Sequence, residues 1–223
     1  MLAALLAGLL LLQQTQVDVA LDPGHSTADV GASGGGLREY QVTLDLAQRV
    51  KARLEAAHLT VRMTREDNKS LTPLVNPGAS DDIAAEQTAR IAAGGPARVF
   101  ISLHFNGGPS GLHGTETYFN PDRADDSAAT DQLLAKALQH NVIDALQTEV
   151  GYASLDRGAK SDLVAGKPYG HFFSLRGPEP SALVESLFLS NPTEAALLHD
   201  DATLDALADG CTQGVLEYFA TLD

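Results

Sequence analysis

Residues 17–39 read VDVALDPGHSTADVGASGGGLRE, and this stretch decides the fold. The apolar, β-branched run Val17–Leu21 predicts a buried strand, because a Pro-Gly pair follows it closely. His25 then comes just after the carboxyl end of that strand, where open α/β sheets place their ligand crevice. A glycine-rich turn leads on to Glu39, at the start of the next helix. We therefore expect a functional turn here, to which the rest of the chain supplies partners.

The alternation of strands and helices along the chain predicts an α/β fold. Apolar residues at helical spacing predict helices at about 37–57, 80–93, 127–150 and 202–222, and a short one starting at Asn191-Pro192. Apolar or alternating runs predict strands at 17–21, 59–64, 99–103, 115–119, 172–175 and 182–187. We expect loops at 66–80 and irregular chain at 152–171. The prediction is a single domain with a mixed, mostly parallel sheet of about six strands flanked by helices.

The net charge and the cysteine count exclude two classes of binding partner and an intramolecular disulfide. The chain has 223 residues and a net charge of −14, and it lacks a cluster of Lys and Arg. Nucleic acid and acidic membrane surfaces are therefore not expected partners. The single cysteine, Cys211, cannot form an intramolecular disulfide, and its place on the apolar face of the last predicted helix indicates a packed core thiol.

The N-terminal sequence favours export. Met1–Leu12 is an uninterrupted apolar run, followed by the polar residues Gln13–Gln16. The run is too short to span a bilayer but has the length of a signal-peptide core. We predict that residues 1–16 are a signal peptide, that the chain has no stable membrane span, and that it acts in the periplasm or cell envelope. The alternatives are a misplaced start codon or a buried N-terminal helix.

Two imidazoles and one carboxylate stand where the predicted fold can bring them together. His104 directly follows the apolar strand at 99–103, as His25 follows the first strand, and Glu39 lies 14 residues after His25. A catalytic zinc ion takes about three ligands of these types and leaves one position open. The H-E-x-x-H motif is absent and no activated Ser or Cys nucleophile is visible, so a metal-activated water is the strongest nucleophile available. We predict a Zn²⁺ site; the alternative is ordinary core or surface histidines.

Glu185 interrupts the apolar strand predicted at 182–187. A carboxylate in such a strand is costly unless it is paired or faces an open cleft. Two roles are therefore open for Glu185: it could be catalytic, or it could form a salt bridge to Arg157 or Arg176.

Three further polar residues stand near the expected cleft. His113 and His171 lie in loops and could contact substrate, but we do not expect either of them to bind metal. Asn106, two residues after His104, could orient the strand end or the substrate, and a role in a turn is the alternative.

Several linked motifs resemble those of zinc-dependent N-acetylmuramoyl-L-alanine amidases of the bacterial cell-wall type. In the family's order, these motifs are ALDPGH (20–25), Glu39, TRED (64–67), FISLHFN (100–106), DRGAK (156–160) and ALVESLFLSN (182–191). The resemblance implies that His25, Glu39 and His104 bind zinc, and that Glu185 is the catalytic carboxylate. It also implies that residues 17–223 are a catalytic domain that hydrolyses the amide between N-acetylmuramic acid and L-alanine in peptidoglycan.

Two other functions stay open at this stage. One is a zinc peptidase or deacylase acting on another amide, and the other is a non-catalytic cell-wall-binding protein. Because the acidic surface does not attract an anionic wall, we expect recognition through loops 66–80, 107–114 and 152–171. The sequence does not identify an activator protein.

Overall fold

The computed structural model describes residues 15–123 and 127–222, so all but the last two residues of the predicted signal peptide lie outside it. Six strands form one mixed sheet: β1 (Val17–Pro23), β4 (Val61–Met63), β5 (Ala97–Asn106), β6 (Thr115–Phe119), β7 (Asp156–Ser161) and β8 (Ser181–Phe188). Their order across the sheet is β4-β1-β5-β8-β6-β7, and the short strands β2 (Ser33–Gly34) and β3 (Leu37–Arg38) form a separate hairpin. All neighbouring strands of the six-stranded sheet run parallel except β6 and β8, which are antiparallel. The predicted fold class is confirmed.

Helices cover both faces of the sheet. They are α1 (Glu39–Ala56), α2 (Ser80–Gly94), α3 (Ser127–Glu149), α4 (Pro192–Leu197) and α5 (Asp201–Ala220). Alternate residues of β1 and β5, such as Val19 and Ile101, enter the main core with α1, α3 and α5. Ala20 and Phe100 point to the other face and pack against Ile91 of α2. The buried thiol of Cys211 belongs to the main core, as predicted.

The glycine-rich turn contains a small hairpin that the sequence did not suggest. Two-residue strands β2 (Ser33–Gly34) and β3 (Leu37–Arg38) pair in antiparallel fashion directly before α1. The hairpin places Glu39 at the first position of the helix, beside the end of β1. Loop 66–80 contains no strand, as expected, and joins α2 at Ser80.

One predicted strand is wrong and another was missed. Residues Phe173–Leu175 form a short 3₁₀ helix rather than a strand. The sixth strand is β7, within the stretch expected to be irregular. Its sequence DRGAKS carries no apolar alternation, because β7 is an edge strand held by its pairing with β6.

The helices in the described part of the chain are not membrane spans. None of them combines the length and the apolar character needed to cross a bilayer.

Candidate active site

Three side chains with metal-binding atoms converge at the carboxyl ends of β1 and β5. Glu39 Oε2 lies 3.3 Å from His25 Nε2, and Glu39 Oε1 lies 2.9 Å from His104 Nδ1. One potential ligand atom from each residue lies within 4.8 Å of those of the other two. The two imidazole rings meet edge to face, 4.9 Å apart. The structure thus brings together the three residues for which the sequence predicted a shared site.

Backbone contacts fix the carboxylate between the two histidines. Glu39 Oε2 accepts a hydrogen bond from Ala32 N at 2.6 Å, and Oε1 accepts one from Phe105 N at 3.1 Å. Ala32 lies in the glycine-rich turn, while Phe105 belongs to β5. The same carboxylate therefore ties the turn to the strand that carries His104.

Two buried arginines hold the turn that carries His25. Arg65 donates to the carbonyls of Pro23 and Gly24, at 2.9 Å each. Arg90 of α2 donates to the carbonyls of Pro23 and His25, at 2.6 Å each. His25 itself has a positive φ of 63°, a conformation unusual for a side chain other than glycine. These guanidinium groups help to stabilise that conformation, and sequence reasoning assigned no role to either arginine.

Asp29 is a partner of His25 that sequence reasoning missed. Its Oδ2 lies 3.0 Å from His25 Nδ1. A carboxylate on one ring nitrogen orients the ring and leaves the other nitrogen free for a metal. Although burial opposes it, the negative charges of Glu39 and Asp29 raise the pKa of His25 to about 10. The environment of this histidine therefore favours positive charge.

The donor set fits a divalent metal ion. Two imidazole nitrogens and one carboxylate are the ligands of many catalytic zinc sites. Nε2 of His104 is buried and has no hydrogen-bond partner in the described part of the chain, so it is available as a ligand. Burial alone would raise the pKa of Glu39, but His25 and His104 hold it well below the usual range. The carboxylate is therefore ionised, as metal binding requires.

Glu185 lies next to this cluster because of the strand register. In the parallel pairing of β5 and β8, His104 stands opposite Glu185, and in the antiparallel pairing of β6 and β8, Glu116 stands opposite Glu185. Residues opposite each other on neighbouring strands have side chains on the same face of the sheet. Glu116, Glu185 and His104 therefore form a row across three strands.

The carboxyl group of Glu185 is not used in a salt bridge to either arginine considered above. Arg157 Nε donates instead to Glu116 at 2.8 Å, and Arg176 donates to backbone carbonyls. Oε2 of Glu185 is buried and has no hydrogen-bond partner among the residues described. Burial first, and the charge of Glu39 second, raise the pKa of Glu185 well above the ordinary range. Such a carboxyl group holds a proton more readily than an exposed glutamate, as a general acid must.

A cleft of about 220 Å³ opens over these groups. Its floor carries the side chains of His25, His104 and Glu185, and Ile83 and Gln87 of α2 line one side. Another wall comes from the segment between β7 and β8, of which residues 162–171 belong to the loop 152–171 that we expected to line the cleft. Its lining residues are Lys167, Tyr169, Phe172, Phe173 and Ser174.

A family model described as N-acetylmuramoyl-L-alanine amidase matches residues 19–217 of the chain. The match covers all of the residues at the floor of the cleft. The chain belongs to the N-acetylmuramoyl-L-alanine amidase family. This confirms the resemblance drawn from the sequence motifs.

Individual relatives of this amidase agree with the family match. The germination-specific N-acetylmuramoyl-L-alanine amidase of Bacillus subtilis is 32% identical over 204 residues, which cover 90% of this chain and 79% of the relative. The catalytic domain of the amidase CwlV from Bacillus (Paenibacillus) polymyxa is 28% identical, with a TM-score of 0.66 over 92% of this chain and 98% of that domain. The CwlD amidase of Clostridioides difficile, solved in complex with the GerS lipoprotein, shares the fold with a TM-score of 0.73 at 23% identity. That alignment covers 92% of this chain and 99% of CwlD.

Glu116 is a buried neighbour of Glu185 that the sequence did not single out. Oε1 accepts hydrogen bonds from Asn106 and Tyr118, and Oε2 accepts them from Arg157 and Lys160. Asn106, at the end of β5, therefore binds Glu116 of β6 rather than forming a turn. The alternating sequence of β6 could have indicated that Glu116 points to one face, but its position beside Glu185 depends on the strand register.

Neither of the two loop histidines lies at the metal-binding cluster. His171 Nδ1 lies 2.8 Å from Asp162 Oδ1, which anchors the cleft wall. His113 is exposed, and its Nδ1 lies 3.3 Å from the carbonyl oxygen of Gly111. The expectation that neither would join the metal ligands agrees with this placement.

Proposed function

We propose that this chain hydrolyses the amide bond between the lactyl group of N-acetylmuramic acid and L-alanine in peptidoglycan, with Zn²⁺ as its cofactor. One observation carries the proposal: the carboxyl group of Glu185, whose Oε2 has no hydrogen-bond partner in the described part of the chain, faces the same cleft as His25 and His104 of the cluster with Glu39. Membership of the amidase family supports this choice of amide over those cut by other zinc hydrolases.

His25, Glu39 and His104 would hold the metal. Zinc bound there supplies a Lewis acid that polarises the scissile carbonyl and lowers the pKa of water from about 15.7 towards 7. Glu39 would contribute the negative charge, and Asp29 would hold the ring of His25 in its binding orientation.

Glu185 would carry the proton during the reaction. Its carboxylate takes a proton from the attacking water as the new C–O bond forms at the lactyl carbonyl. It then gives that proton to the alanine nitrogen as the C–N bond breaks. The products are a free lactyl carboxylate on the sugar and a stem peptide with a free amino group. Burial of Glu185 favours the second step, the donation of the proton to the alanine nitrogen, because it keeps the pKa of the carboxyl group raised.

The substrate determines where the enzyme would work. Peptidoglycan lies outside the cytoplasmic membrane, so the proposal requires export, with residues 1–16 as the signal peptide and 17–223 as the catalytic domain. The CwlD relative was solved with a lipoprotein. A partner of that class is a candidate binding protein for this chain as well.

Digestion of purified cell-wall sacculi, followed by mass analysis of the products, tests the proposal. We expect stem peptides that begin with free L-alanine, no release after treatment with a chelator, and recovery after addition of Zn²⁺. Cleavage within the stem peptide would indicate a zinc peptidase, and loss of acetyl groups would indicate a deacylase. Binding of sacculi without release of any product would indicate a cell-wall-binding protein.

A further inference from the structure

One wall of the cleft carries a lysine that forms no ion pair with any residue that the structure describes. Four lysines and arginines lie in β7 or between β7 and β8. Arg157 and Lys160 both donate to Glu116, and Arg176 donates to the carbonyls of Tyr169 and His171. The fourth, Lys167, has no carboxylate within ion-pairing distance in residues 15–123 or 127–222.

The position of Lys167 differs from that of an ordinary surface lysine. Although exposed, it lines the same cleft as Glu185, His25 and His104. Its Nζ lies 5.6 Å from the centre of the Phe172 ring, a cation–π distance that directs the ammonium group along the wall. Burial first, and then the charge of Glu39, raise the pKa of Glu185, and the positive charge of Lys167 opposes that rise.

The loop that presents Lys167 is held by its own contacts. Buried Asp162 accepts hydrogen bonds from the backbone N of Phe172 and pairs with His171. The rings of Tyr169 and Phe173 stack with their centres 4.6 Å apart. Gly170 N donates to the carbonyl of Lys167 at 3.0 Å. The ammonium group therefore extends from a loop that is held in place into the cleft that also contains Glu185.

We propose that Lys167 is a specificity residue that binds a free carboxylate on the second residue of the stem peptide. This rests on the proposed function, which places the scissile amide at Glu185 and the peptide along the cleft. The second residue follows within about 7 Å along an extended peptide, and a carboxylate there is the nearest anionic group to the scissile bond. A lone ammonium group beside an aromatic wall binds that carboxylate more strongly than a neutral carboxamide, because only the carboxylate adds an attraction between opposite charges.

Two synthetic N-acetylmuramoyl peptides test the proposal. They differ only in a free carboxylate or a carboxamide on the second residue, and every other carboxyl group is amidated. The wild type should hydrolyse the carboxylate form with a kcat/KM about two- to fivefold higher, through a lower KM, as for one partly exposed ion pair. Lys167→Met should remove this preference, Lys167→Arg should keep it, and Lys136→Met, an exposed lysine on α3, should leave it unchanged.

The outcomes separate this proposal from the proposed function. A Lys167→Met variant that keeps the wild-type preference, or that loses rate equally on both substrates, would overturn the role of Lys167. Binding of the two uncleaved peptides is measured in addition in Glu185→Gln and Glu185→Gln/Lys167→Met proteins. If the wild type cleaves neither peptide, the proposed function is wrong. In that case, binding of the two peptides still tests the role of Lys167. If Glu185→Gln binds the carboxylate peptide more tightly and the added Lys167→Met change removes this preference, the role of Lys167 is supported. If Glu185→Gln shows no such preference, the role of Lys167 is overturned.

Discussion

Gly31 lies against two of the three proposed metal ligands. Its φ is +72°, and a Cβ atom there would lie 2.4 Å from Glu39 Oε2 and 2.7 Å from the His25 ring. Such distances are shorter than real Cβ contacts, so one of these side chains would have to move. We expect Gly31→Ala to lower zinc affinity at least about tenfold, because displaced ligands no longer meet around one ion. Titration with Zn²⁺ measures this directly.

Gly36 provides the matched control for this substitution. It also has a positive φ, of +86°, but a Cβ atom there would meet no atom within 4 Å. Gly36→Ala therefore carries similar backbone strain without the contact with the site. Equal zinc affinities for the two variants would contradict the proposed role of Gly31 in spacing the ligands.

Single residues differ in how far the sequence reveals them. His25, His104 and Glu185 were predictable because each stands within or just after an apolar strand, where a titratable side chain is unusual. Asp29 and Lys167 were not, since a carboxylate in a turn and a lysine in a loop are ordinary residues. Their importance comes from what lies next to them in three dimensions, and sequence spacing does not give that.

At the scale of elements, Glu116 links β6 to β7. Although burial opposes it, hydrogen bonds from Lys160 and Arg157 lower the pKa of Glu116 to about 2, from an ordinary value of 4.5. A group with a lowered folded-state pKa stabilises the fold above its unfolded pKa, and this contribution is lost as the pH falls towards the folded pKa. Glu116→Gln should reduce the free energy of unfolding at pH 7 by about 1–3 kcal/mol.

The stability difference between the wild type and Glu116→Gln should depend on pH. Between pH 4.5 and about 2, the wild type should lose more stability than Glu116→Gln, because only the wild type protonates a paired carboxylate at this position. Urea unfolding at several pH values measures the difference. Glu66→Gln, which changes a side chain that is 76% exposed, is the control. Parallel curves for wild type and Glu116→Gln below pH 4.5 would contradict the account.

Elements with a strong apolar pattern were predictable, and those without one were not. The strands at the centre of the sheet, β1, β5 and β8, are apolar because helices or loops cover both of their faces. Strand β7 is polar and lies at the edge, so its identity depends on pairing with β6. Residues 172–175 resemble a strand in sequence because three of the four are apolar. In the structure, the rings of Phe172 and Phe173 line the cleft, and Leu175 packs in the core beneath it.

Over the whole molecule, the fold makes a site from segments that are far apart in sequence. The two histidines are 79 positions apart, and Glu185 follows 81 positions after His104. Parallel strands bring their carboxyl ends to one edge of the sheet, and this predicted that the two histidines would meet; the place of Glu185 beside them was implied by the family resemblance. The register that sets His104 opposite Glu185, and Glu185 opposite Glu116, became visible only in the structure.

The central claim is that three residues hold one zinc ion while Glu185 moves the proton. The most direct test is the Glu185→Gln protein, with its zinc content and its rate of sacculus hydrolysis measured on the same sample. A His104→Ala protein serves as the control that should lose the metal. We predict one zinc ion per chain, as in the wild type, and a rate at least about a hundredfold lower. A Glu185→Gln protein that retains zinc and releases stem peptides as fast as the wild type would contradict the account.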